Sequence, residues 1–373
     1  MGTIEIAGVE IGPNSPVRVI GELGICHRGD IDLAKRLATA CSDAGADFIK
    51  FEIYQLETAL TEPYRDESFI TFGTACNGVI EQNLFEAFKS GFLSFDAASE
   101  LIEHLHKLGN PFFATAASIQ EVDFLVERGA CAIKLSSGEI DHLPLIHHVA
   151  HKEMPMFIDS ATTYMWEVVR AVEEYELEGG ERAVVMVNPA GYPAPPETTD
   201  LNRIPSLQAC LDIPIGYTCH TPGRNALMAA IGKGAQIVEK PISPDNTLPY
   251  VEYVFSENIE DFKSLVQDID YISRSRGSAR RLWGRDEMRK NRLNRHGIVA
   301  SRKLAVGMKL SGKDIEIARP GYGIRPEHIH AVRGFEIKKS LQKGETINWS
   351  DFKTDNAKNS AKQKSMHKGM IEE

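Results

Sequence analysis

Eight short apolar runs, each closed by a polar or charged residue and followed by a helical stretch, predict an α/β fold. The expected architecture is a (β/α)8 TIM barrel with a small second domain behind it. Length agrees, since 373 residues exceed one typical domain and suit a barrel of ~250 residues plus a module. Composition agrees as well, because the chain turns strongly basic near Tyr271, where a second unit would be joined. Eight units favour closure over an open doubly wound sheet, which usually has fewer.

Val17–Ile20 opens the series, and Asp30 is placed to cap a helix carrying Leu33, Leu37 and Cys41 at helical spacing. Phe48–Phe51 is the second strand. A long irregular insertion rich in aromatic and acidic residues then runs to Phe95, before a helix over Ser99–Leu108. Loops of that length are often lids or binding loops. Further strands fall at Pro111–Ala114, Ala132–Ile133, Met156–Ile158, Ala183–Val187, Ile213–Tyr217 and Gln236–Val238. Amphipathic helices such as Ile119–Arg128 and Met165–Glu174 lie between them. With the barrel over 1–275, the run SRSRGSARRLWGRDEMRKNRLNR reads as a basic linker, 276–296. Segment 297–355 has short β-like runs and turn signals at VGMKLSG and QKGETI. About sixty residues fold alone only marginally, so this module is expected to lean on the barrel or on a partner chain. The tail, 356–373, is polar and basic and reads as disordered.

At 42% hydrophobic and 25% charged, the composition is that of a soluble globular protein. A net charge of −10 argues against nucleic acid as the main partner. No apolar run approaches a membrane span, and the start MGTIEIAGVE lacks the regions of a signal peptide. Six cysteines without a CxxC pair read as reduced cytoplasmic thiols.

In a closed barrel all strand ends meet on one face, where active sites are built. Lys50 and Lys134 each end an apolar run, where a buried lysine demands an anionic partner. Either they hold phosphate and carboxylate of a ligand, or they pair with Glu52 and Glu139; position alone leaves both open. Ser136, Ser137 and Ser160 offer hydroxyl donors, and Glu22 is a candidate acid–base group. His27 and His220 are candidates for metal binding or proton transfer. His147, His148 and His151 lie on a helix and read as a solvated face.

These residues carry a resemblance. GELGICHRGD, KFE, KLSSGEIDHLPLI and GYTCHTPG with the following GAQIVEK resemble the sialic acid (N-acetylneuraminate) synthase family, over roughly residues 15–355. RPGYGI resembles its small antifreeze-like (SAF) domain, as in spore coat polysaccharide biosynthesis proteins of the family. The resemblance implies a transferase that joins phosphoenolpyruvate to an N-acylated amino sugar, giving a nonulosonic acid and phosphate. It implies that Lys50, Lys134, Ser137 and Ser160 hold phosphoenolpyruvate, while Glu22 and His27 serve the chemistry. Glu52, Tyr192, Thr218 and Arg319 fall on the substrate side, with Arg319 delivered into the other subunit of a domain-swapped homodimer. The family's divalent ion, manganese or magnesium, is held by two histidines. Here His220 remains, but Pro241 stands where the second belongs, and Cys219, Cys26, Arg28 and Glu52 replace other family residues. Three readings stay open: a different metal site from His220 with Cys219, Cys26 or Glu52; a metal-free reaction using Arg28 or a lysine; or retained binding without synthase activity. Another barrel lyase or aldolase acting on a phosphorylated sugar is the enzymatic alternative.

Overall fold

The computed structural model describes residues 2–55, 61–67, 69–73, 79–89, 91–248, 250–277, 280 and 283–353. Two compact units divide at Gly277. In the first, eight parallel strands close on themselves: β3 (Arg18–Glu22), β4 (Phe48–Glu52), β7 (Phe112–Thr115), β8 (Ile133–Leu135), β9 (Met156–Asp159), β10 (Ala183–Val187), β11 (Ile215–Thr218) and β12 (Ile237–Ser243). The ring is completed by β11 pairing β12, and β12 pairing β3. The expected (β/α)8 barrel is the fold found.

Strand side chains alternate with a period of two, so each strand sends every second residue inward. Ile20, Phe48, Phe113, Phe157, Met186 and Ile237 form the lower inner layer, all fully buried. Phe113 and Phe157 stack with centroids 4.6 Å apart, and Phe48 meets Phe113 edge-on at 6.0 Å. An N-terminal hairpin of β1 (Ile4–Ile6) and β2 (Val9–Ile11) packs Ile6 and Ile11 onto that layer. No periodicity in the sequence had marked these three-residue strands.

The helices cover the outside. Asp30 caps Ile31–Ala44 as expected, its Oδ1 accepting from Asp32 and Leu33 N–H. Gly45, left-handed at φ 87°, ends that helix. Ser118 and Glu121 form a reciprocal capping box on Ile119–Glu127, and Glu121 also accepts from Gln55 N–H at the root of the insertion. Within the insertion the described parts are regular: helix Glu62–Glu67, an antiparallel pair β5 (Phe69–Gly73) and β6 (Val79–Asn83), and helix Leu84–Lys89. The next helix begins at Phe95, four residues before the sequence placed it, because Ser94 caps it. The histidine helix, Leu143–His151, is not a bare solvated face. His147 and His151 pair with Glu174 and Glu178 of the next helix, and His148 pairs with Asp123 of the previous one.

The second unit has its own core, with Ile298, Leu304, Leu310, Ile324, Ile337 and Phe352 buried around β14 (Gly297–Ala300) and β15 (Ile315–Ala318). Part of the basic stretch expected as a linker is the helix Arg285–Asn294, and Arg292 C=O accepts from Gly321 N–H. The tail after Lys353 lies outside the described residues. Among the described residues no helix is long and apolar enough to cross a membrane.

The aromatic layer sets the first prediction. Phe157→Ala removes a ring stacked inside a closed barrel, so unfolding in urea is expected to show a loss of about 3–5 kcal/mol. A loss under about 1 kcal/mol would mean that the layer collapses to refill the space.

Candidate active site

Two residues above the apolar layer, the same inward alternation delivers Glu22, Lys50, Thr115, Lys134, Asp159, Thr218 and Glu239 to one level. All seven are buried. Lys134 Nζ lies 2.6 Å from Glu239 Oε1 and 3.5 Å from Asp159 Oδ2. Lys50 Nζ donates to Glu22 Oε1 and lies 3.4 Å from Glu239 Oε1 and 3.5 Å from Glu52 Oε1. The sequence left open whether these lysines pair with Glu52 and Glu139. Lys50 does reach Glu52, while the partners of Lys134 are Glu239 and Asp159. Glu139 instead accepts from Ser136 Oγ.

Electrostatics follow from burial. Desolvation raises the Glu22 carboxyl to about 8, helped by the Glu239 charge and opposed by Lys50 and Lys134. Burial alone would raise Glu239 too, but Lys134 and Lys50 hold it well below the usual carboxylate range. Burial pushes Glu139 up to about 7.

Over this layer opens a cavity of about 400 Å³. It is lined by Glu22, Lys50, Lys134, Ser136 and Ser137 together with Tyr54, Phe88, Phe92, Tyr192 and His220. Phe92 packs on Tyr54 at 5.0 Å and on Phe88 at 5.7 Å, so residues at the edge of the insertion form an aromatic wall. Asn188, after β10, also lines the cavity and donates to Asp159 Oδ2 at 2.8 Å.

Other candidates fall elsewhere. Ser160 is fully buried beneath the rim and its Oγ donates to Met186 C=O at 3.1 Å. His27 is fully buried in the loop after β3, where its Nδ1 accepts from Gly29 N–H, and burial lowers it to about 4. Arg28 is exposed and stands 5.4 Å over the Tyr250 ring, apart from the cavity-lining residues. Thr218 Oγ1 sits 3.4 Å from both Glu239 and Lys134. Arg319 is exposed, in the second unit.

Several site groups went unread in the sequence. Asp159 ends β9 and Glu239 lies within β12, both at the level of the lysines, and period-two counting from the apolar runs is the signal that would have found them. Glu252, within LPYVEYVFS, reaches back to the loop after β3, where its Oε2 accepts from Ile25 N–H at 2.9 Å. A Cβ at Gly24, which has φ 49°, would stand 2.2 Å from that oxygen, so only glycine fits.

The donor set does not fit a divalent ion. His220 is wedged between the rings of Tyr192 (4.7 Å) and Phe255 (5.0 Å), and its Nδ1 is buried without a partner. Burial and the nearby Lys134 charge lower it to about 3. Pro241 faces inward but has no ligating atom. Cys219, adjacent to His220 on the chain, points the other way and lies 3.4 Å from Lys240 Nζ. Cys26 is held by Ser256 and Glu252, and Glu52 by Lys50. Among the described residues no three His, Cys, Asp or Glu side chains converge as a metal site. The expected alternative site from His220 with Cys219, Cys26 or Glu52 is therefore not assembled.

The first unit is a barrel with paired lysines and carboxylates at its mouth and the second a small β domain, and the synthases among the relatives make this a transferase-type enzyme. The chain belongs to the NeuB family, whose model matches residues 37–281, and a SAF domain model matches residues 295–353. It is 30% identical to the N,N′-diacetyllegionaminic acid synthase of Legionella pneumophila, over 89% of this chain and 93% of that one. It is 28% identical to the spore coat polysaccharide biosynthesis protein SpsE of Bacillus subtilis, over 91% of this chain and 92% of that one. A crystal structure of the Bacillus subtilis SpsE matches with a TM-score of 0.63 at 26% identity, covering 95% of this chain and 100% of that one.

The mismatch with a metal gives a prediction. Manganese titrated into metal-stripped protein and followed by electron paramagnetic resonance is expected to show no saturable stoichiometric site. A one-to-one site that vanishes in His220→Ala would contradict the donor analysis.

Proposed function

We propose that the protein condenses phosphoenolpyruvate with an N-acylated amino sugar, giving a nonulosonic acid and phosphate for surface polysaccharide biosynthesis. The observation that carries this reading is the mixed lining of the cavity. Two buried ammonium groups and the Ser136 and Ser137 hydroxyls share it with the rings of Tyr54, Phe88, Phe92 and Tyr192. The ammonium groups and hydroxyls suit a small molecule bearing both phosphate and carboxylate. The rings suit a sugar with an apolar N-acyl group. Family membership and the names of the relatives point the same way.

In this reading Lys50 and Lys134 grip the phosphate and carboxylate of phosphoenolpyruvate, with Ser137 at the rim and Ser160 fixing the backbone beneath. C3 of the enol attacks the acceptor's aldehyde carbon, forming the new C–C bond, and the aldehyde oxygen takes a proton. Water adds at C2, and the tetrahedral intermediate expels phosphate by C–O cleavage. Glu22 is the acid closest to Lys50 and carries the proton. Neutral His220 and Tyr192 bound the acceptor, and no step is routed through a metal. Arg319 of a partner subunit reaches the acceptor's N-acyl group, which makes the working unit a domain-swapped homodimer. The unpaired thiols at Cys26, Cys41, Cys131, Cys210 and Cys219 support a cytoplasmic setting.

The decisive assay measures phosphate released from phosphoenolpyruvate across a panel of acceptor sugars, with and without chelator. Release is expected only when an acceptor is present, and to persist with chelator. Release without acceptor would favour another barrel lyase or aldolase. Saturable sugar binding with no release anywhere in the panel would make the chain a binding homologue. In the full-length protein, Arg319→Ala is expected to raise the acceptor KM by about tenfold or more while leaving phosphoenolpyruvate binding intact. Unchanged acceptor kinetics would remove the second domain from the mechanism.

A further inference from the structure

The floor of the cavity carries an imbalance of charge. Two ammonium groups, on Lys50 and Lys134, face four carboxyl groups, on Glu22, Glu52, Asp159 and Glu239. With all four ionised, the floor would be net negative in a setting where Lys50 is 1% exposed and Glu239 0%. A doubly acidic substrate entering such a floor would be repelled. Glu22 and Glu239 are too deeply buried to swing away, so the remedy is a proton. Geometry says where it sits. The second oxygens of both residues, Glu22 Oε2 and Glu239 Oε2, are buried and receive no donor from any other described residue. A buried carboxylate oxygen with no donor is costly when charged and much less so when protonated. Glu239 is braced by both lysines and Thr218, whereas Glu22 pairs with the single cation Lys50 and otherwise hydrogen-bonds to the Glu239 carboxyl, a contact that needs a proton between the two. Of the two, Glu22 is the one that keeps a proton.

We propose that the site binds its anionic substrate together with a proton held on Glu22, which releases Lys50 from one carboxylate to grip the anion. The inference rests on the reading of that substrate as phosphoenolpyruvate. The proton comes from water onto a Glu22 carboxyl oxygen. Lys50 stays an ammonium throughout and exchanges Glu22 for the substrate as its acceptor.

The groups around Glu22 set the pH window. From β4 come Lys50 and Glu52, from β8 Lys134, and from β12 Glu239. Lys240 of β12 is turned away to the Thr221 and Gly223 carbonyls. His220 stands beyond β11 and His27 on Glu22's own loop, while Cys26, Tyr192 and Glu252 are close enough to feel its charge. Free Glu22 titrates at about 8. Substrate entry draws Lys50 away and adds negative charge, and both effects raise it further. Below that value Glu22 already holds its proton, so binding takes none up there. Above it each binding event brings one in, and affinity falls towards about tenfold per pH unit. In that range His27 and His220 stay neutral, Cys26 and Tyr192 stay protonated because burial pushes both well up, and Lys50 stays charged. Glu139, at about 7, is already ionised. Glu252 is the other carboxyl that burial pushes well up, so it serves as the control.

The test is calorimetry of phosphoenolpyruvate binding to the full-length protein at about pH 9, in two buffers of different ionisation enthalpy. Proton uptake is expected to approach one per substrate bound. Glu22→Gln should bind with no uptake, and Glu252→Gln should retain it. Binding without uptake in the wild-type protein would overturn the inference while leaving the substrate reading intact. So would uptake that survives in Glu22→Gln and disappears in Glu252→Gln. Absence of any phosphoenolpyruvate binding would instead overturn the substrate reading, and this inference with it. Should Glu22→Gln fail to fold, the wild-type measurement decides alone.

Discussion

The contact on which the rest of the mouth depends is the bridge that Glu239 makes between Lys134 and Lys50. Burying one unpaired charge costs several kcal/mol, and removing one member of a buried pair typically costs about 3–5 kcal/mol. The barrel meets this by placing the charged layer directly over an aromatic one, with each cation answered by a carboxylate on one adjacent strand and by Glu239 from β12. A hydrophobic floor of the same shape would be as stable or more so. The charges are therefore best explained by what they do for a ligand, since the fold itself does not need them.

That layer also shows what a sequence can and cannot reveal. Lys50 and Lys134 are legible because each ends a short apolar run, and a strand turns its inward residues toward the mouth every second position. Glu239 also follows a short apolar run, yet 189 residues separate it from Lys50, so only ring closure makes them partners. The caps at Asp30 and Ser118 are local signals, and local signals survive. The hairpin β1–β2 is two strands of three residues each, too short for any period to register. Glu252 was hidden for a different reason. Its run LPYVEYVFS carries no local motif or period, and its role is defined by an Ile25 N–H 227 residues away. The three helix histidines looked like a solvated face because helical spacing cannot show that neighbouring barrel helices present carboxylates to them.

The residues that depart from the family pattern are held by local partners. Cys26 rests between Ser256 and Glu252. Cys219 rests beside Thr221 and Lys240. Lys240 in turn ties the rim by donating to Thr221 C=O at 2.9 Å and Gly223 C=O at 2.8 Å. Each replacement has packing or hydrogen-bonding partners of its own, as expected of a rebuilt environment. The aromatic wall of Tyr54, Phe88 and Phe92 lines the same cavity as the paired charges.

Pro241 shows how such a rebuilding is tolerated. Proline donates no hydrogen bond and is normally excluded from the middle of a sheet. In β12, residue 241 is the last to pair with β3, opposite Glu22, and the next residue begins the pairing with β13 (Glu257–Asn258). The missing N–H falls at the point where the strand passes from one neighbour to the other, so the ladder is interrupted where it already changes partner. The side chain still faces inward by strict alternation from Ile237 and Glu239, and it fills the level of His220 with an inert ring. An imidazole at that level would add a second ligand beside His220; a pyrrolidine leaves His220 to stack between Tyr192 and Phe255. The backbone position that makes the substitution permissible is therefore also the one that leaves no ligating side chain beside His220.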